Sequence, residues 1–566
     1  MISPVIVHRA VRADAVARLV AAGCPPLLAR IYAARGIAEA AELDDAFTRL
    51  HPLDTMLNLG RMAQLLADAI AARVRMLIIA DYDADGATAC AVGMRALRAF
   101  GADVDYLVPN RFEYGYGLTP EIVRLAYEKA RPDVLITVDN GIASIEGVAE
   151  ANRLGMRVLV TDHHLPADRL PDAWCIVNPN QPACPFPSKN LAGVGVMFYL
   201  MLALRAELRR RGTLEREPAM AVLLDLVALG TVADVVRLDA NNRVLVQQGL
   251  KRIRAGRMQA GIAALFRAAA RDPARASAYD LGFVLGPRLN AAGRLTDMAL
   301  GIECLVTDDV ARAQEIAHEL DALNRERRAI EAEMQEAALA SIADEPDQST
   351  ALVLFDAKWH QGVIGIVASR LKDRFHRPVI AFARGNGGEI KGSGRSIPGL
   401  HLRDALDLVT KRHPGLVLRF GGHAAAAGLT LRENDFAAFR NAFEDVVRAL
   451  VTDADLARQL ETDGSLELDD ATLASARAIA QTVWGQGFPE PRFVDGFEVL
   501  GQRVVGGRHV RLRLSRSGRE FDGMVFGSCD PVPQRIEAVY RLDVNEYHGA
   551  ETLQLTLHHW RAPVAA

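Results

Sequence analysis

The sequence predicts an α/β protein in which a doubly wound parallel sheet is joined by a long helix to a smaller α/β unit, with a β-barrel at the C-terminus. Short apolar runs alternate with helical patterns from Thr55 to about Cys304, which is typical of a doubly wound sheet. Asp308–Asp344 then has apolar residues at helical spacing without glycine or proline. After Asp453 the pattern changes to short alternating segments separated by turns, which indicates a barrel.

These changes of pattern divide the chain into five segments. A length of 566 residues suggests roughly three or four domains. We expect a helical N-terminal leader, a first α/β domain, a connector helix, a second α/β domain and the barrel, at residues 1–45, 46–305, 306–345, 346–452 and 453–566.

Composition limits the kind of protein. The net charge is −4, so any surface for nucleic acid must be local. Six cysteines lack the spacing of a disulfide framework, which favours a reducing compartment. The N-terminus has no signal-peptide pattern, and the longest apolar run, Leu191–Leu204, is shorter than the roughly 20 residues of a membrane span. We therefore expect a cytoplasmic protein without a membrane segment.

Three apolar runs that predict buried strands are each followed by carboxylates or imidazoles. The runs are Met76–Ala80, Val134–Val138 and Arg157–Thr161. The carboxyl ends of neighbouring parallel strands form one edge of an open sheet, where ligands bind. We therefore expect five carboxylates and two imidazoles to meet there, from Asp81, Asp83, Asp85, Asp139, Asp162, His163 and His164.

This set of side chains suits two divalent metals. Each motif alone has an ordinary explanation, because Asp-x-Asp often caps helices and His-His is often filler. Carboxylates gathered at one edge, however, repel each other and raise their own pKa values, and cations relieve that repulsion. Oxygen and nitrogen ligands without thiolates favour manganese or magnesium over structural zinc. Two such metals activate water and stabilise both oxygens of an in-line displacement, so the sequence predicts a metal-dependent hydrolase.

The second α/β unit contains two glycine-rich loops. Strand Ala351–Phe355, helix Gly362–Phe375 and strand Pro378–Ala383 precede them. The loops are Gly392–Ser396 and Gly421–His423, and their glycines permit close approach of backbone amides to an anion.

The predicted barrel contains a local basic stretch. Residues 503–519 include six arginines and no acidic residue. Arginines on an exposed strand can simply protect a sheet edge, but aromatic residues that could stack on bases lie close in sequence. We expect this surface to bind single-stranded nucleic acid, through Arg503, Arg508, Arg511, Arg513, Arg516, Arg519, Phe521, Phe526 and Tyr540.

Together these motifs identify a resemblance to a known family. Over nearly its whole length the chain resembles the DHH phosphoesterase superfamily, and its second α/β unit is similar to the DHHA1 domain. The layout with a barrel resembles the superfamily's bacterial single-strand-specific exonucleases. The motifs are Asp-Tyr-Asp-Ala-Asp-Gly at 81–86, Val-Asp-Asn-Gly at 138–141, Asp-His-His at 162–164, Leu-Gly-Thr-Val-Ala-Asp at 229–234, Gly-Pro-Arg-Leu-Asn-Ala-Ala-Gly-Arg at 286–294, Gly-Ser-Gly-Arg-Ser at 392–396 and Gly-Gly-His at 421–423.

The resemblance implies roles for the acidic residues and histidines. It implies that the metals are held by Asp83, Asp85, Asp139, His163 and Asp225, with Asp139 as the bridge. Asp81 is a further candidate ligand, because Ile79 stands where other branches of the superfamily carry a histidine. Asp162 would orient a histidine, and His164 would face the substrate phosphate.

The resemblance also implies how substrate is held. The second α/β domain would hold the strand over the metals, and arginines suit bidentate phosphate binding. The candidate substrate-binding residues are Arg111, Arg288, Asn290, Ser393, Arg395, Gly422 and His423.

The implied activity is that of a single-stranded-DNA exonuclease. It would act from the 5′ end, release 5′-mononucleotides and use two Mn²⁺ or Mg²⁺ ions per site, in DNA repair and recombination. Single-strand-binding protein and a helicase are expected partners. Two alternatives remain: a phosphodiesterase of the same superfamily that acts on short oligonucleotides or cyclic dinucleotides, and a DNA-binding scaffold without activity.

Overall fold

The computed structural model describes residues 4–110, 114, 117–214, 216–343, 349–547 and 549–563. The chain forms two compact units: the N-terminal strand with Ala322–Glu461, and His8–Asp321 with the chain from Thr462 onward. None of the helices in the described part of the chain has both the length and the apolar character needed to cross a bilayer.

The N-terminal leader is helical, as predicted, except for a first strand. Strand β1 (Val5–His8) pairs with Gln459–Thr462. Helices α1 (Ala13–Ala21) and α2 (Pro26–Ala33) follow. A short 3-10 turn at Ala40–Leu43 completes the segment, and two more follow it at Phe47–Arg49 and Leu53–Thr55.

The first α/β domain contains a five-stranded parallel sheet with the order β3-β2-β4-β5-β6. Three of its strands coincide with the three apolar runs of the sequence, so that prediction is confirmed. The strand order reverses between β2 and β4, which is the switch point where ligands bind in such sheets. The strands are β2 (Met76–Ala80), β3 (Val104–Leu107), β4 (Val134–Val138), β5 (Arg157–Thr161) and β6 (Cys175–Val177).

Helices cover both faces of this sheet. On one face, Ile122 and Val148 pack against strand residues such as Leu135. On the other, Gly93 lies against Ile78 of β2. The helices are α3 (Leu59–Ala71), α4 (Ala84–Ala99), α5 (Pro120–Ala130), α6 (Ile145–Arg153), α7 (Gly193–Arg211), α8 (Leu224–Ala233), α9 (Ala240–Arg254), α10 (Ala260–Ala268), α11 (Gly286–Leu295, preceded by a π-helical turn at Asp280–Leu285) and α12 (Ala299–Val306).

The long connector is helix α13 (Val310–Ala343), close to the predicted bounds. Arg370 donates to Glu331 of this helix at 3.0 Å, and Glu331 also pairs with Arg327. These side chains attach the second half of the connector to the smaller α/β domain.

The smaller α/β domain has the mixed sheet β10-β11-β9-β8-β7. Its first strand, helix and second strand lie where the sequence predicted them. Strands β7 and β8 pair in parallel, and the other strand pairs of this sheet are antiparallel. The elements are β7 (Leu352–Phe355), α14 (Ile364–Phe375), β8 (Val379–Arg384), β9 (Glu389–Arg395), α15 (Leu402–Arg412), β10 (Arg419–Gly422), β11 (Ala426–Arg432), α16 (Phe436–Leu450) and α17 (Asp453–Leu456).

The C-terminal segment forms a closed five-stranded barrel, as predicted. Leu27 and Ile31 of α2 pack into its core, so the leader is part of this domain's packing. The elements are β12 (Gln459–Thr462), α18 (Leu473–Gln481), β13 (Phe493–Val505), β14 (His509–Arg516), β15 (Arg519–Phe526), β16 (Arg535–Tyr547) and β17 (Ala550–Arg561).

Two of the aromatic residues expected to stack on bases are instead in the barrel core. Phe521 and Tyr540 are buried there, and the Tyr540 hydroxyl donates to Asp495 at 2.8 Å. Alternation along a strand sends successive side chains to opposite faces, and these two point inward. Phe526 is exposed, so only this ring of the three remains available for stacking.

A buried ion pair anchors the leader to the barrel domain. The guanidinium of Arg35 donates to both carboxylate oxygens of Asp463, at 2.8 and 3.1 Å. Both side chains are 1% exposed. Asp463 also accepts from Arg9 and from the backbone amide of Arg492, so its carboxylate is fully engaged by donors.

Replacing Asp463 by alanine should destabilise the protein strongly. The Arg35 cation would then stay buried without its counter-charge, which typically costs about 3–5 kcal/mol. The free energy of unfolding can be measured by urea denaturation followed by intrinsic fluorescence. Asp14→Ala is the matched control, because Asp14 pairs with Arg12 in solvent, and it should leave the unfolding midpoint unchanged. Equal midpoints for both variants would contradict this role of Asp463.

Candidate metal centre

The candidate metal centre lies at the switch point of the parallel sheet. Asp81 directly follows β2 and Asp139 directly follows β4, the two strands between which the order reverses. The amide of Asp81 donates to the carbonyl of Val138 at 3.3 Å, and the amide of Asp139 donates to that of Thr161 at 3.1 Å. The sheet's own hydrogen bonds therefore continue into the loops and hold the two carboxylates side by side.

Helix N-termini position the next two carboxylates. Asp83 caps α4 and accepts from the amides of Asp85 and Gly86 at 2.9 and 3.0 Å. Asp85 accepts from the amides of Gly193 and Val194, at the start of α7, at 2.6 and 2.8 Å. Burial, reinforced by the nearby charge of Asp83, nevertheless raises the pKa of Asp85 to about 7. A cation beside Asp85 would restore its charged form.

Asp139 is held in an unusual backbone conformation. Its φ is +62°, in the left-handed region that few residues other than glycine adopt. Its side chain is 2% exposed, and burial together with the charges of Asp85 and Asp83 raises its pKa well above the usual value. Gly193 makes room for it, because a Cβ on that residue would lie 2.8 Å from the Cβ of Asp139.

Asp162 orients the loop that carries the two histidines. One carboxylate oxygen accepts from Nδ1 of His164 at 2.7 Å and from the amide of His163 at 2.7 Å. The other accepts from the amide of Ile142 at 2.9 Å. Burial alone would lower the pKa of His164, but its hydrogen bond to Asp162 and that residue's charge raise it to about 9. The contact with Asp162 therefore favours the protonated form of His164.

His163 has the opposite protonation state. Burial and the positive charge of His164 lower its pKa to about 4, so its ring is neutral and has a lone pair for a metal. Its Nε2 lies 3.0 Å from Oδ1 of Asp139, 3.5 Å from Oδ2 of Asp234 and 3.8 Å from Oδ2 of Asp85.

Asp234, at the end of α8, belongs to this cluster, and sequence reasoning did not select it. The resemblance assigned the corresponding ligand to Asp225, but the structure places that carboxylate elsewhere. Its two oxygens accept from the backbone amides of Leu226 and Gln259 at 2.9 and 2.6 Å. The signal for Asp234 was present in the sequence, as the last residue of the motif at 229–234.

The cluster fits divalent metals. Three groups have ligand atoms within 4.8 Å of one another. Three buried atoms that meet there have no hydrogen-bond partner: Oδ1 of Asp139, Oδ2 of Asp234 and Nε2 of His163. Buried polar atoms are otherwise nearly always satisfied, so cations account for them. Asp139 and His163 each belong to two groups, but only the carboxylate of Asp139 has two oxygens with which to bridge. The groups are Asp139/His163/His164, Asp85/His163/Asp234 and Asp81/Asp83/Asp139.

Comparison with known proteins agrees with this geometry. The model of the DHH family, N-terminal domain, matches residues 75–231, that of the DHHA1 domain matches 348–449 and that of the RecJ OB domain matches 462–559. The chain is 49% identical to the single-stranded-DNA-specific exonuclease RecJ of Dickeya dadantii, over 94% of this chain and 96% of the relative. This chain belongs to the RecJ family.

Solved structures of the RecJ family have the same fold. A crystal structure of RecJ in complex with Mn²⁺ from Thermus thermophilus has a TM-score of 0.84 and 31% identity, covering 99% of this chain and 80% of that one. The Mg²⁺ complex from the same organism has a TM-score of 0.78 and 29% identity, covering 99% and 78%. The predicted fold class, with two α/β domains and a C-terminal barrel, is confirmed.

Two of the candidate substrate residues on α11 make contacts within the protein. Arg288 donates to Asp321 at 3.0 Å and to the carbonyl of Val284 at 2.6 Å. The side-chain oxygen of Asn290 accepts from the amide of Ala84 at 2.8 Å, so Asn290 positions the loop that carries Asp83. The predicted role of Arg111 lies outside the described residues.

In the DHHA1 domain, Arg395 is a largely buried cation. It donates to the Ser393 hydroxyl at 3.1 Å and to the carbonyl of Gly394 at 2.8 Å. Burial lowers its pKa, and no carboxylate within the described chain pairs with it. Its Nη2 also approaches Gly365 in the first turn of α14. The glycine-rich turn at Gly422–His423 closes the neighbouring hairpin, in which the backbone amide of His423 donates to the carbonyl of Ala426 at 2.8 Å.

The basic stretch of the barrel is partly neutralised in three dimensions. Arg511 pairs with Asp522 at 2.9 Å, Arg516 pairs with Asp495 at 2.9 Å, and Arg519 donates to the carbonyls of Leu468 and Ala471. Arg513 lies 4.0 Å from Glu520. Among the residues that the structure describes, Arg503 and Arg508 have no acidic partner.

The assignment of Asp234 can be tested against Asp225. Asp234→Asn should weaken Mn²⁺ binding by more than the roughly 10–100-fold typical of a residue outside the ligand shell, as measured by isothermal titration calorimetry. Asp225→Asn should leave Mn²⁺ affinity close to that of the parent chain. It should instead reduce the free energy of unfolding by about 1–3 kcal/mol, because a buried amide donor would face an amide. If Asp225→Asn weakened Mn²⁺ binding and Asp234→Asn did not, Asp225 would be the metal ligand instead.

Proposed function

We propose that this protein is a metal-dependent exonuclease that degrades single-stranded DNA from the 5′ end and releases 5′-mononucleotides. The cluster of five carboxylates and neutral His163 at the sheet's switch point carries this proposal, because its buried, unpartnered ligand atoms require cations. Membership of the RecJ family supports the substrate, since a relative 49% identical to this chain is named a single-stranded-DNA-specific exonuclease. The Mn²⁺ and Mg²⁺ complexes of RecJ from Thermus thermophilus support these two metals as cofactors.

The ligand shell of the two metals would be built from six residues. Asp139 would serve both ions, and its left-handed backbone constrains the direction of its carboxylate. Two divalent ions activate water and stabilise charge on the attacking and leaving oxygens of an in-line displacement. The proposed ligands are Asp81, Asp83, Asp85, Asp139, His163 and Asp234.

His164 would act on the substrate rather than on the metals. Its ring is one-third exposed and is held by Asp162, which keeps it protonated. A fixed positive charge of this kind stabilises negative charge that develops on a phosphate during displacement. Asp162 thus serves as a positioning residue, because it sets both the orientation and the charge of His164.

Arg395 supports a phosphate site in the DHHA1 domain. A largely buried guanidinium without a carboxylate partner is costly unless an anion joins it. The Ser393 hydroxyl lies beside it and offers a further donor. We assign this site to a phosphate of the strand, including the terminal 5′-phosphate, whose capture would set the direction of digestion.

The proposed setting of the enzyme follows from its substrate. Single-strand-binding protein and a helicase would supply unpaired strands, in the cytoplasm, during DNA repair and recombination. The cysteines that the structure describes are unpaired thiols, which suits a reducing compartment. A scaffold without activity would have no need to keep so many carboxylates together.

Digestion of end-labelled strands tests the activity and its direction. With Mn²⁺, a single strand labelled at its 5′ end should release labelled mononucleotide at once, whereas a 3′ label should appear in mononucleotide only after the rest is degraded. Asp139→Ala should abolish release while sparing strand binding, because water cannot replace a bridging carboxylate. Early release of the 3′ label would overturn the direction, and substantial activity of Asp139→Ala would overturn the bridge.

The barrel should bind the strand through Arg503, Arg508 and Phe526. Replacing both arginines by alanine should reduce the salt dependence of strand affinity, with the log–log slope smaller by about 1.4 if each contacts one phosphate. Phe526→Ala should weaken affinity by roughly fivefold or more through lost stacking. Fluorescence anisotropy across a salt series measures both effects. Arg124→Ala is the control, since Arg124 pairs with Glu121 and Glu150 on another surface, and an equal effect there would refute a specific barrel interface.

A further inference from the structure

Two aromatic rings are exposed together beside the metal centre. Tyr279 is 55% exposed and Phe283 is 72% exposed. Their ring centroids lie 5.1 Å apart and their planes are within 24° of parallel. Large apolar side chains that are grouped on a surface mark interaction sites more often than isolated ones do. The pair forms no part of the metal cluster or of the candidate phosphate sites.

The pair is tied to the metal centre through α8 and α11. Gly282, between the two rings, packs so closely on Val232 that a Cβ there would lie 3.0 Å from the valine Cγ1. Gly286 packs in the same way on Ala233, the residue before Asp234. The rings therefore project from a segment whose other side rests on the end of α8 that carries a metal ligand.

The same helix also reaches the loop after β2. Asn290 accepts from the amide of Ala84, beside Asp83, and it follows Phe283 by seven residues. The chain between them passes from the π-helical turn at Asp280–Leu285 directly into α11. The segment that carries the aromatic pair is thus continuous with the helix that contacts the loop of Asp83.

The local backbone is shaped to display these rings. Asp280–Leu285 forms a π-helical turn, a feature that occurs mostly as single turns and often at functional sites. Asp280 holds its beginning, since its carboxylate accepts from the amide and the hydroxyl of Ser277 at 2.9 and 2.7 Å. The exposed rings therefore lie on a segment whose backbone is held in place by these hydrogen bonds.

Two more exposed apolar residues directly follow residues of the metal centre. Leu165, after His164, is 62% exposed, and Val235, after Asp234, is 64% exposed. Val235 has a φ of +62°, which is unfavourable for a β-branched residue. An apolar side chain is thus presented to solvent at the rim of the cluster on a strained backbone.

We propose that Tyr279 and Phe283 form a stacking platform for unpaired bases of the strand that enters the metal centre. This inference rests on the proposed function. Aromatic faces stack on any base, so the contact tolerates all sequences. In a duplex the faces of the bases are covered by their neighbours, and the platform has nothing to bind. The pair would therefore contribute to selectivity for single strands as well as to the placement of the scissile bond.

An abasic-site scan tests the platform through binding alone. Short oligothymidylates, each with one abasic site at a different distance from the 5′ end, are titrated in EDTA and followed by fluorescence anisotropy. The parent chain should lose roughly 10–100-fold in affinity when the abasic site falls on the platform. Tyr279→Ala/Phe283→Ala should bind the intact strand about as weakly, and should lose nothing further at that position. Such non-additivity identifies a direct contact.

Two further variants control for folding and for general loss of apolar surface. Tyr279→Phe/Phe283→Tyr keeps both rings and should restore the parent profile. Leu450→Ala removes an exposed apolar side chain from α16 and should leave the profile unchanged. In digestion assays the double alanine variant should raise KM more than it lowers kcat.

The outcomes separate this inference from the proposed function. An unchanged abasic profile in the double alanine variant would overturn the platform and assign the pair to a protein partner, even if the enzyme digests single strands. A profile that changes as expected in EDTA supports the platform whatever the result of the digestion assay with end-labelled strands. Failure of the parent chain to digest single strands in Mn²⁺ would overturn the proposed function alone.

Discussion

The structure depends on one electrostatic constraint, which is the crowding of carboxylates at the switch point of the parallel sheet. Burial and the charges of Asp85 and Asp83 raise the pKa values of both Asp139 and Asp234 well above the usual value. Hydrogen bonds from the first turns of α4 and α7 offset part of this cost. Cations offset the rest, because three ligand atoms in the cluster have no other partner. The centre is thus prepared for metals by the same repulsion that would make it unfavourable without them.

The two adjacent histidines have different neighbours, and their pKa values shift in opposite directions. His163 is buried among carboxylates without accepting a hydrogen bond at Nε2, and its neutral form suits a metal. His164 meets Asp162 directly and stays protonated, which suits a phosphate. Consecutive residues of the same type therefore take different charges because one loop turns their rings toward different neighbours.

The proposed substrate contacts are distributed over surfaces of different chemistry. Arg395 provides a cation without a counter-charge, Phe526 and the aromatic pair at Tyr279 and Phe283 provide ring faces, and Arg503 and Arg508 provide cations in solvent. Phosphates and base faces are present in every sequence of single-stranded DNA, so such contacts do not select bases. They suit an enzyme that must move along a strand of any sequence.

The sequence by itself determined the layered architecture and most of the metal centre. The strands before Asp81, Asp139 and Asp162 are short, apolar and almost entirely buried, so their ends and their shared edge follow from local pattern and topology alone. Asp225 and Asp234 could not be separated in this way, because they lie at opposite ends of one apolar helix and only the packing of that helix decides which end reaches the cluster. Likewise, the pairing of the barrel strands decided that Phe521 and Tyr540 point into the core. It also brought Asp522 and Asp495 beside arginines of the basic stretch. The exposed rings of Tyr279 and Phe283 had no sequence signal, since whether an apolar side chain is buried depends on what packs against it in the tertiary structure.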